Sequence, residues 1–372
     1  MSYDANAIHF FLGANTSDGF VFRPDELGSA DGGWHKFLIK GGPGTGKSTL
    51  CKQVAKAASE FTDNIEFLHC SSDPHSLDGV IISDYKISLF DATSPHVVEP
   101  KYPGAFESVI NLCDCWDEDA LQQNRDEVVA LFAANQGCHA RCSKFLAASG
   151  SLLNDTYHIA LECTNIPKLS RYVTRLISRE LKAKAAGTGQ EKVRFLSAVT
   201  VGGLMMFTDT AKAYCDRVYV IDDNYGSVCR LLLHSIRAYA LKSGYDIITC
   251  YCPLSPYDKI EHLFIPELGL GFMTSNKFHP LTFEAYKHIN SNRFLDLEQL
   301  KKRKQRIHFN QRIINEMLAE SGKLVTQSKV IHDDLEKYYT QNTDFDKVAA
   351  KIQETTDKVR KIILASDEAA SR

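Results

Sequence analysis

Residues 37–49 read FLIKGGPGTGKST: three apolar residues, Phe37-Leu38-Ile39, run through Lys40 into Gly41-Gly42-Pro43-Gly44-Thr45-Gly46-Lys47-Ser48-Thr49. The spacing fits G-x-x-x-x-G-K-[ST]. Glycines let a short backbone turn aim successive N–H groups inward at an anion. A helix opening at Lys47 adds the positive end of its dipole to the same point. The context agrees: an apolar strand enters the loop, and a helix with apolar positions Leu50, Val54, Ala57 and Ala58 leaves it. The stretch predicts a phosphate-binding loop between a buried strand and a helix, the start of an α/β fold.

Each residue of such a loop has an expected role. Gly41, Gly42, Pro43, Gly44, Thr45 and Gly46 form the cradle. Lys47 reaches the β- and γ-phosphates of a nucleoside triphosphate, Ser48 supplies a hydroxyl to Mg²⁺, and Thr49 sits nearer the α-phosphate. A second Mg²⁺ ligand should end a neighbouring apolar strand; Ile87-Ser88-Leu89-Phe90-Asp91 offers Asp91. Ala92 stands where many ATPases of the motor type carry a water-activating glutamate. The base must come from elsewhere, and ligands in open α/β sheets bind beyond the carboxyl ends of strands. The strand Ile65–Cys70 ends in His69-Cys70-Ser71-Ser72-Asp73-Pro74-His75, which makes Asp73 the first candidate for base or water-positioning group and His69 the second. Thr93-Ser94-Pro95-His96 is placed to sense the γ-phosphate. No arginine that reaches across the phosphates can be picked out, although Arg125 and Arg141 lie in the helical part. Asn276-Lys277 is followed by Phe278-His279, so no guanine-reading N-K-x-D segment is present and ATP is the expected nucleotide.

Working outward, the chain repeats itself. FFLGANTSDGFVF (10–22) aligns with RFLSAVTVGGLMM (194–206), FLIKGGPGTGKSTLCKQVAKAAS from Phe37 with YVIDDNYGSVCRLLLHSIRAYAL from Tyr219, and FLAASGSLL (145–153) with MLAESGKLV (317–325). Three blocks in one order predict a tandem duplication, joined at AKAAGTGQEK (183–192), with domains at 1–188 and 189–372. In each half the order of strand and helix signals gives a P-loop NTPase-like parallel sheet with flanking helices, followed by a helical appendage (about 104–182 and 300–370). Carried through without a gap, the alignment turns Lys47 into Cys229, Ser48 into Arg230, Thr49 into Leu231, Lys40 and Gly41 into Asp222 and Asp223, and Asp91 into Met273. The second half loses the cation and the metal ligands and gains carboxylates where phosphate would arrive, so it is expected to be a degenerate copy.

The chain has 372 residues, 44% hydrophobic and 24% charged, with a formal net charge of −3. This is a globular balance without the basic excess of a protein that coats nucleic acid. No stretch approaches the ~20 apolar residues of a membrane span, and the first residues lack the basic start and apolar run of an export signal. A cytoplasmic protein is expected, its 11 cysteines reduced. Cys113-x-Cys115, Cys138-x₃-Cys142 and Cys250-x-Cys252 do not make the paired knuckles of a zinc site.

GGPGTGKST, HCSSDPHSLDGV (69–80), DATSPHVVEPKYPGA (91–105) and the tandem layout resemble an uncharacterised bacterial family of tandem P-loop ATP-binding proteins, carried as predicted ATPases or nucleotide kinases, over nearly the whole chain. The resemblance implies ATP bound at Gly41–Thr49, with the 69–78 and 91–96 loops bearing the rest of the site. A second intact loop, which such proteins can carry, is missing here. Three readings follow: an Mg²⁺-dependent ATPase with one working site; a kinase passing the γ-phosphate to a small-molecule or nucleotide acceptor; and an ATP-gated switch that recruits a protein partner through its helical segments.

Overall fold

Side chains alternate across a strand. Phe37 and Ile39 therefore face one way and Leu38 the other, and all three are buried. A strand covered on both faces requires a layer on each side, and the computed structural model, which describes residues 7–182, 184 and 187–371, shows how both layers are supplied. Residues 1–6, within the stretch that lacks an export signal's pattern, and residues 183, 185 and 186 of the expected linker lie outside the described residues.

The first half runs β1 (Ile8–Phe10), β2 (Gly13–Thr16), β3 (Gly19–Phe22), β4 (His35–Lys40), α1 (Lys47–Ala58), β5 (Ile65–His69), β6 (Leu77–Ile82), β7 (Ile87–Asp91), β8 (Glu107–Asn111), α2 (Glu118–Gln123), α3 (Arg125–Glu162) and α4 (Ile166–Glu180). The second repeats it: β9 (Glu191–Arg194), β10 (Ser197–Thr200), β11 (Gly203–Met206), then an added helix α5 (Asp209–Tyr214), β12 (Arg217–Asp222), α6 (Ser227–Lys242), β13 (Ile247–Cys252), β14 (Ser255–Ile265), β15 (Leu270–Ser275), β16 (Lys287–Asn290), α7 (Leu297–Lys302), α8 (Lys304–Gln341) and α9 (Phe345–Ala370). The strand orders β1-β5-β6-β7-β4-β8 and β9-β13-β14-β15-β12-β16 are the same, so the duplication is present in three dimensions.

Each six-stranded sheet is mixed rather than parallel: β6 runs antiparallel to β5 and β7, as β14 does to β13 and β15. This corrects the expected parallel sheet. β6 lies in what reads as a polar loop, because Asp78 and Gly79 interrupt its apolar run. Gly79 is required there, since a Cβ on it would fall 2.5 Å from the Leu89 carbonyl oxygen. β8 lies in a stretch expected to be helical. Register corrects the alignment as well. His35 pairs with Ile87 but Arg217 with Leu270, one residue further on, so the counterpart of Asp91 is Thr274 rather than Met273.

The two sheets pack back to back. Phe10, Leu68, Ile81 and Phe90 of the first meet Val218, Val220, Ile248 and Phe264 of the second. At the seam Phe11 and Phe195 exchange backbone hydrogen bonds of 2.9 and 3.0 Å. Buried Arg194 bridges Glu66 at 2.9 Å and Glu26 at 2.7 Å. Burial alone would raise the Glu66 carboxyl, but Arg194 and Lys192 hold it well below the usual carboxylate range.

On the outer faces the halves trade helices. α1 covers the first sheet together with α9, through Val359 and Ile363. α6 covers the second together with α4, through Leu169, Val173 and Leu176. The exchange is pinned twice by backbone pairing: Asp117 N–H to Asn342 O and Asp344 N–H to Cys115 O on one side, Asn165 N–H to Phe294 O and Asp296 N–H to Cys163 O on the other. The two 38-residue helices α3 and α8 cross the molecule antiparallel, with Asp155 joined to Arg306 and Asn310, and Ser328 joined to Asn135 and His139. Among the described residues no helix is long and apolar enough to cross a membrane.

Removing one partner of a buried ion pair leaves an uncompensated charge. Arg194→Met is expected to cost about 3–5 kcal/mol in urea unfolding. The pairing also gives a pH dependence. A carboxyl held down in the folded state contributes stability that is present above its unfolded value and lost as pH falls below it. Wild-type protein should therefore lose stability on acidification in a step that is smaller in the variant, where Lys192 alone still faces Glu66.

Candidate functional site

The strand–loop–helix unit forms as its residues dictate. Gly44 (φ 68°) and Gly46 (φ 92°) are both left-handed, and Gly46 is the N-cap of α1. A Cβ on Gly41 would approach Thr45 Oγ1 to 2.8 Å, so a side chain there would fill the turn. Thr45 Oγ1 donates to Gly42 O at 2.8 Å and stiffens the loop from within. Pro43 is half-buried, and Thr49 is exposed beside the cleft between α1 and α9.

Lys47 Nζ donates to Gly41 O at 2.9 Å and Gly42 O at 2.6 Å and lies 3.6 Å from Asp91 Oδ2. Asp91 Oδ1 accepts from Thr93 N–H at 2.9 Å, and Thr93 Oγ1 donates to Gly41 O at 3.1 Å, tying the β7 end to the loop. Ser48 Oγ accepts from Leu77 N–H at 3.0 Å, which brings the head of β6 to the loop. The Ser48 hydroxyl and the Asp91 carboxylate, which flank Lys47 in the sequence and in space respectively, are hard-oxygen donors of the kind Mg²⁺ takes, so the residue types present fit that ion.

The next residue of β6, Asp78, is buried in the same cluster with its Oδ2 3.3 Å from His96 Nε2. Burial pushes the Asp78 carboxyl up to about 6; the neighbouring Asp91 charge adds to this, while His96 and Lys47 oppose it. Sequence reasoning reaches Asp78 only as the end of the expected 69–78 loop and gives it no role, because β6 does not read as a strand.

The two expected bases have partners of their own. Asp73 accepts from His75 N–H at 3.1 Å and faces Lys329 of α8 at 3.5 Å. His69 sits at the seam of the halves, with Nδ1 2.6 Å from Pro74 O, Nε2 2.8 Å from His9 Nδ1 and its ring against Phe207. Burial lowers it to about 4, which keeps it neutral at physiological pH. The structure brings Lys47, Ser48, Asp91, Asp78 and His96 together, and leaves His69 on the far side of β5's end.

α8, from the other half, lies over the loop. A Cβ on Gly42 would meet the Tyr339 ring at 2.5 Å, and one on Gly44 would collide with Glu336 Cγ and approach Thr340 Cγ2 to 2.6 Å. His332, Asp333 and Glu336 occupy one turn there, their ligand atoms within 4.8 Å of one another.

The second loop shows by contrast what keeps the first one open. Gly226 (φ 84°) matches Gly44, but Val228 stands where Gly46 does. A β-branched residue resists the left-handed region, so α6 winds from Ser227, two positions earlier than α1. Asp223, at the Gly41 position, folds its carboxylate onto the N–H groups of Tyr225, Gly226 and Cys229 at 3.0, 3.0 and 2.9 Å. The anion in that nest is covalently built in.

By strand register Glu261 and His279 repeat Asp78 and His96, but Lys259 stands where Ser76 does. Lys259 lies 2.5 Å from Glu261 and overcomes the burial that would raise that carboxyl, holding it low. Without a lysine at 76, Asp78 is left able to take up a proton near neutrality.

All 11 cysteines are free thiols, nine of them buried, and among the described residues none belongs to a group that could hold a metal. No family model, curated protein or solved structure matches the chain.

Asp78 has a measurable cost. Its folded pKa lies above the unfolded value, so the stability tied to its protonated form is complete below pH ~4 and lost as pH rises through about 6. Asp78→Asn should raise stability at pH 8 by roughly 1–3 kcal/mol and change it little at pH 4. Equal effects at both pH values in thermal melts would mean that the carboxyl titrates normally.

Proposed function

We propose that the chain is an Mg²⁺-dependent ATP-binding protein of the P-loop class, which hydrolyses ATP at one site, Gly41–Thr49. The observation that carries this reading is the joint placement of Lys47 against Asp91 and of Ser48 against the head of β6, around a loop held open by left-handed Gly44 and Gly46. The second loop supports it by contrast, since its N–H groups are taken by its own Asp223 carboxylate.

In this reading the N–H groups of the loop and Lys47 bind the β- and γ-phosphates, and Ser48 and Asp91 hold Mg²⁺. When bound, that ion draws charge from the phosphate oxygens. Asp78 acts as the base. A water oxygen bonds to the terminal phosphorus, the bond to the bridging oxygen breaks and its electrons leave with ADP, and the water's proton passes to the Asp78 carboxylate. His96 orients that carboxylate. Asp73, committed to Lys329, is better suited to positioning than to taking the proton.

Titration calorimetry with Mg-ATP should show one site per chain, abolished by Lys47→Ala and retained in Cys229→Ala. ADP release should rise with pH through about 6 as Asp78 ionises. Asp78→Asn should slow it by about 10²–10⁴-fold with ATP affinity nearly unchanged. Turnover that appears only when small-molecule hydroxyl or phosphate acceptors are added would make the protein a kinase; binding with no turnover under any condition would make it a switch. A second ATP site lost in Cys229→Ala would refute the single-site assignment.

A further inference from the structure

The half that has closed its own cradle supplies the wall of the other. Gly150 of α3 and Gly322 of α8 pack against the hairpin turns of their respective halves, Ser17 and Gly203, as the matching sequences around them predict. From that shared point, Gly322–Gln341 is about two helical turns longer than Gly150–Glu162. The added length, residues 335–341, lays Glu336, Tyr339 and Thr340 on the first half's loop, and Lys329 stands before it at the position that Tyr157 holds in α3. In the closed half the corresponding contact is made by Tyr157, whose ring stacks on Arg230.

The loop has cations enough for binding but needs one for the charge that develops on the terminal phosphate during transfer. Lys47 belongs to the cradle. Lys40 is tied to Ala92 O, Val98 O and Glu99, Lys52 to His75 O, and Arg141 to Gly137 O and Cys138 Sγ of its own helix. Lys329 differs. Its ammonium is shared between Asp73, in the loop that follows β5, and Asp333 on α8, so it has more negative neighbours than it needs. Glu336, two turns further along the same helix and so about 10 Å on, packs on Gly44 of the loop, which puts Lys329 on the helix face that borders the site. An arriving polyphosphate competes with the exposed Asp333 for Lys329, while Asp73 keeps the side chain on the loop's side.

We propose that the nucleotide site is built from both halves, with Lys329 of α8 the cation that meets the terminal phosphate and Asp73 the residue that positions it. This rests on the ATP-binding reading above. The degenerate half thereby keeps a role, since its cradle is closed but its long helix completes its twin. Lysine does this as a point charge on a flexible stem, so arginine should substitute in part.

The test uses the full chain with Lys329→Gln, Lys329→Arg and Asp73→Asn, each checked for an unchanged thermal midpoint. Two measurements are made: steady-state ADP release, and hydrogen exchange of residues 329–348 with Mg-ATP, Mg-ADP or neither. Lys329→Gln should lower kcat by about 10²–10³-fold with Mg-ATP affinity within about threefold of wild type. Lys329→Arg should recover most of the loss, and Asp73→Asn should lower kcat to an intermediate degree. Mg-ATP should slow exchange in 329–348 more than Mg-ADP does, and should not slow it in Lys47→Ala. An unaltered kcat in Lys329→Gln overturns the proposal, as does exchange in this segment that Mg-ATP leaves unchanged or accelerates. Where ATP binds without turnover, the exchange measurement alone decides. A wild-type chain that binds no Mg-ATP removes the ATP-binding reading and this inference together, whereas ATP binding with an unresponsive α8 removes only the inference.

Discussion

Each sheet has an outer face too wide for the one helix that follows its glycine loop, and the second helix comes from the opposite half. The reason lies in α3 and α8. A 38-residue helix advances the chain by about 57 Å, so the segment that follows it emerges beside the other sheet. α4 and α9 bury their apolar stripes there, and the paired strips 115–117 with 342–344 and 163–165 with 294–296 fix where each helix turns. Neither sheet has a complete core without the far end of the other repeat. Each half's core therefore holds a helix of the other, although the sequence writes them as two units.

The same exchange places α8 across the open loop. Tyr339, Glu336 and Thr340 of that helix form a second wall over Gly42 and Gly44. The second loop is closed by two substitutions of different kinds. Valine at 228 removes the backbone conformation that the first loop uses, and aspartate at 223 occupies the N–H groups of the turn. A third difference, serine at 76 against lysine at 259, leaves Asp78 beside His96 without a lysine in one half and ties Glu261 to Lys259 in the other.

Local signals survived the passage from sequence to structure where geometry is local. The loop, its entering strand, its leaving helix and the aspartate at the end of β7 lie where residue type and spacing put them, within a residue at each end. The repeat was legible because duplicated sequence keeps its apolar rhythm. β6 was not legible: a six-residue strand interrupted by Asp78 and Gly79 has the composition of a loop, and only strands on both sides of it make it one. With β6 went Asp78 and the one-residue slip that sets Thr274, rather than Met273, opposite Ile221. His69 reads as a strand-end residue from the sequence, and its contacts with His9 and Phe207 at the seam were not legible because those residues lie far from it in the chain.

By itself the sequence determined the glycine loop, the duplication and the loss of the second cradle's charges, because each depends on residues adjacent in the chain and on backbone angles that few residue types adopt. Only the tertiary structure decided that Asp78 joins Asp91 and Lys47, which half's helix covers which loop, and that the second nest is filled by its own aspartate. Those depend on contacts between residues far apart in the chain, and on burial that sets the charge a side chain carries; no pattern along one segment encodes either.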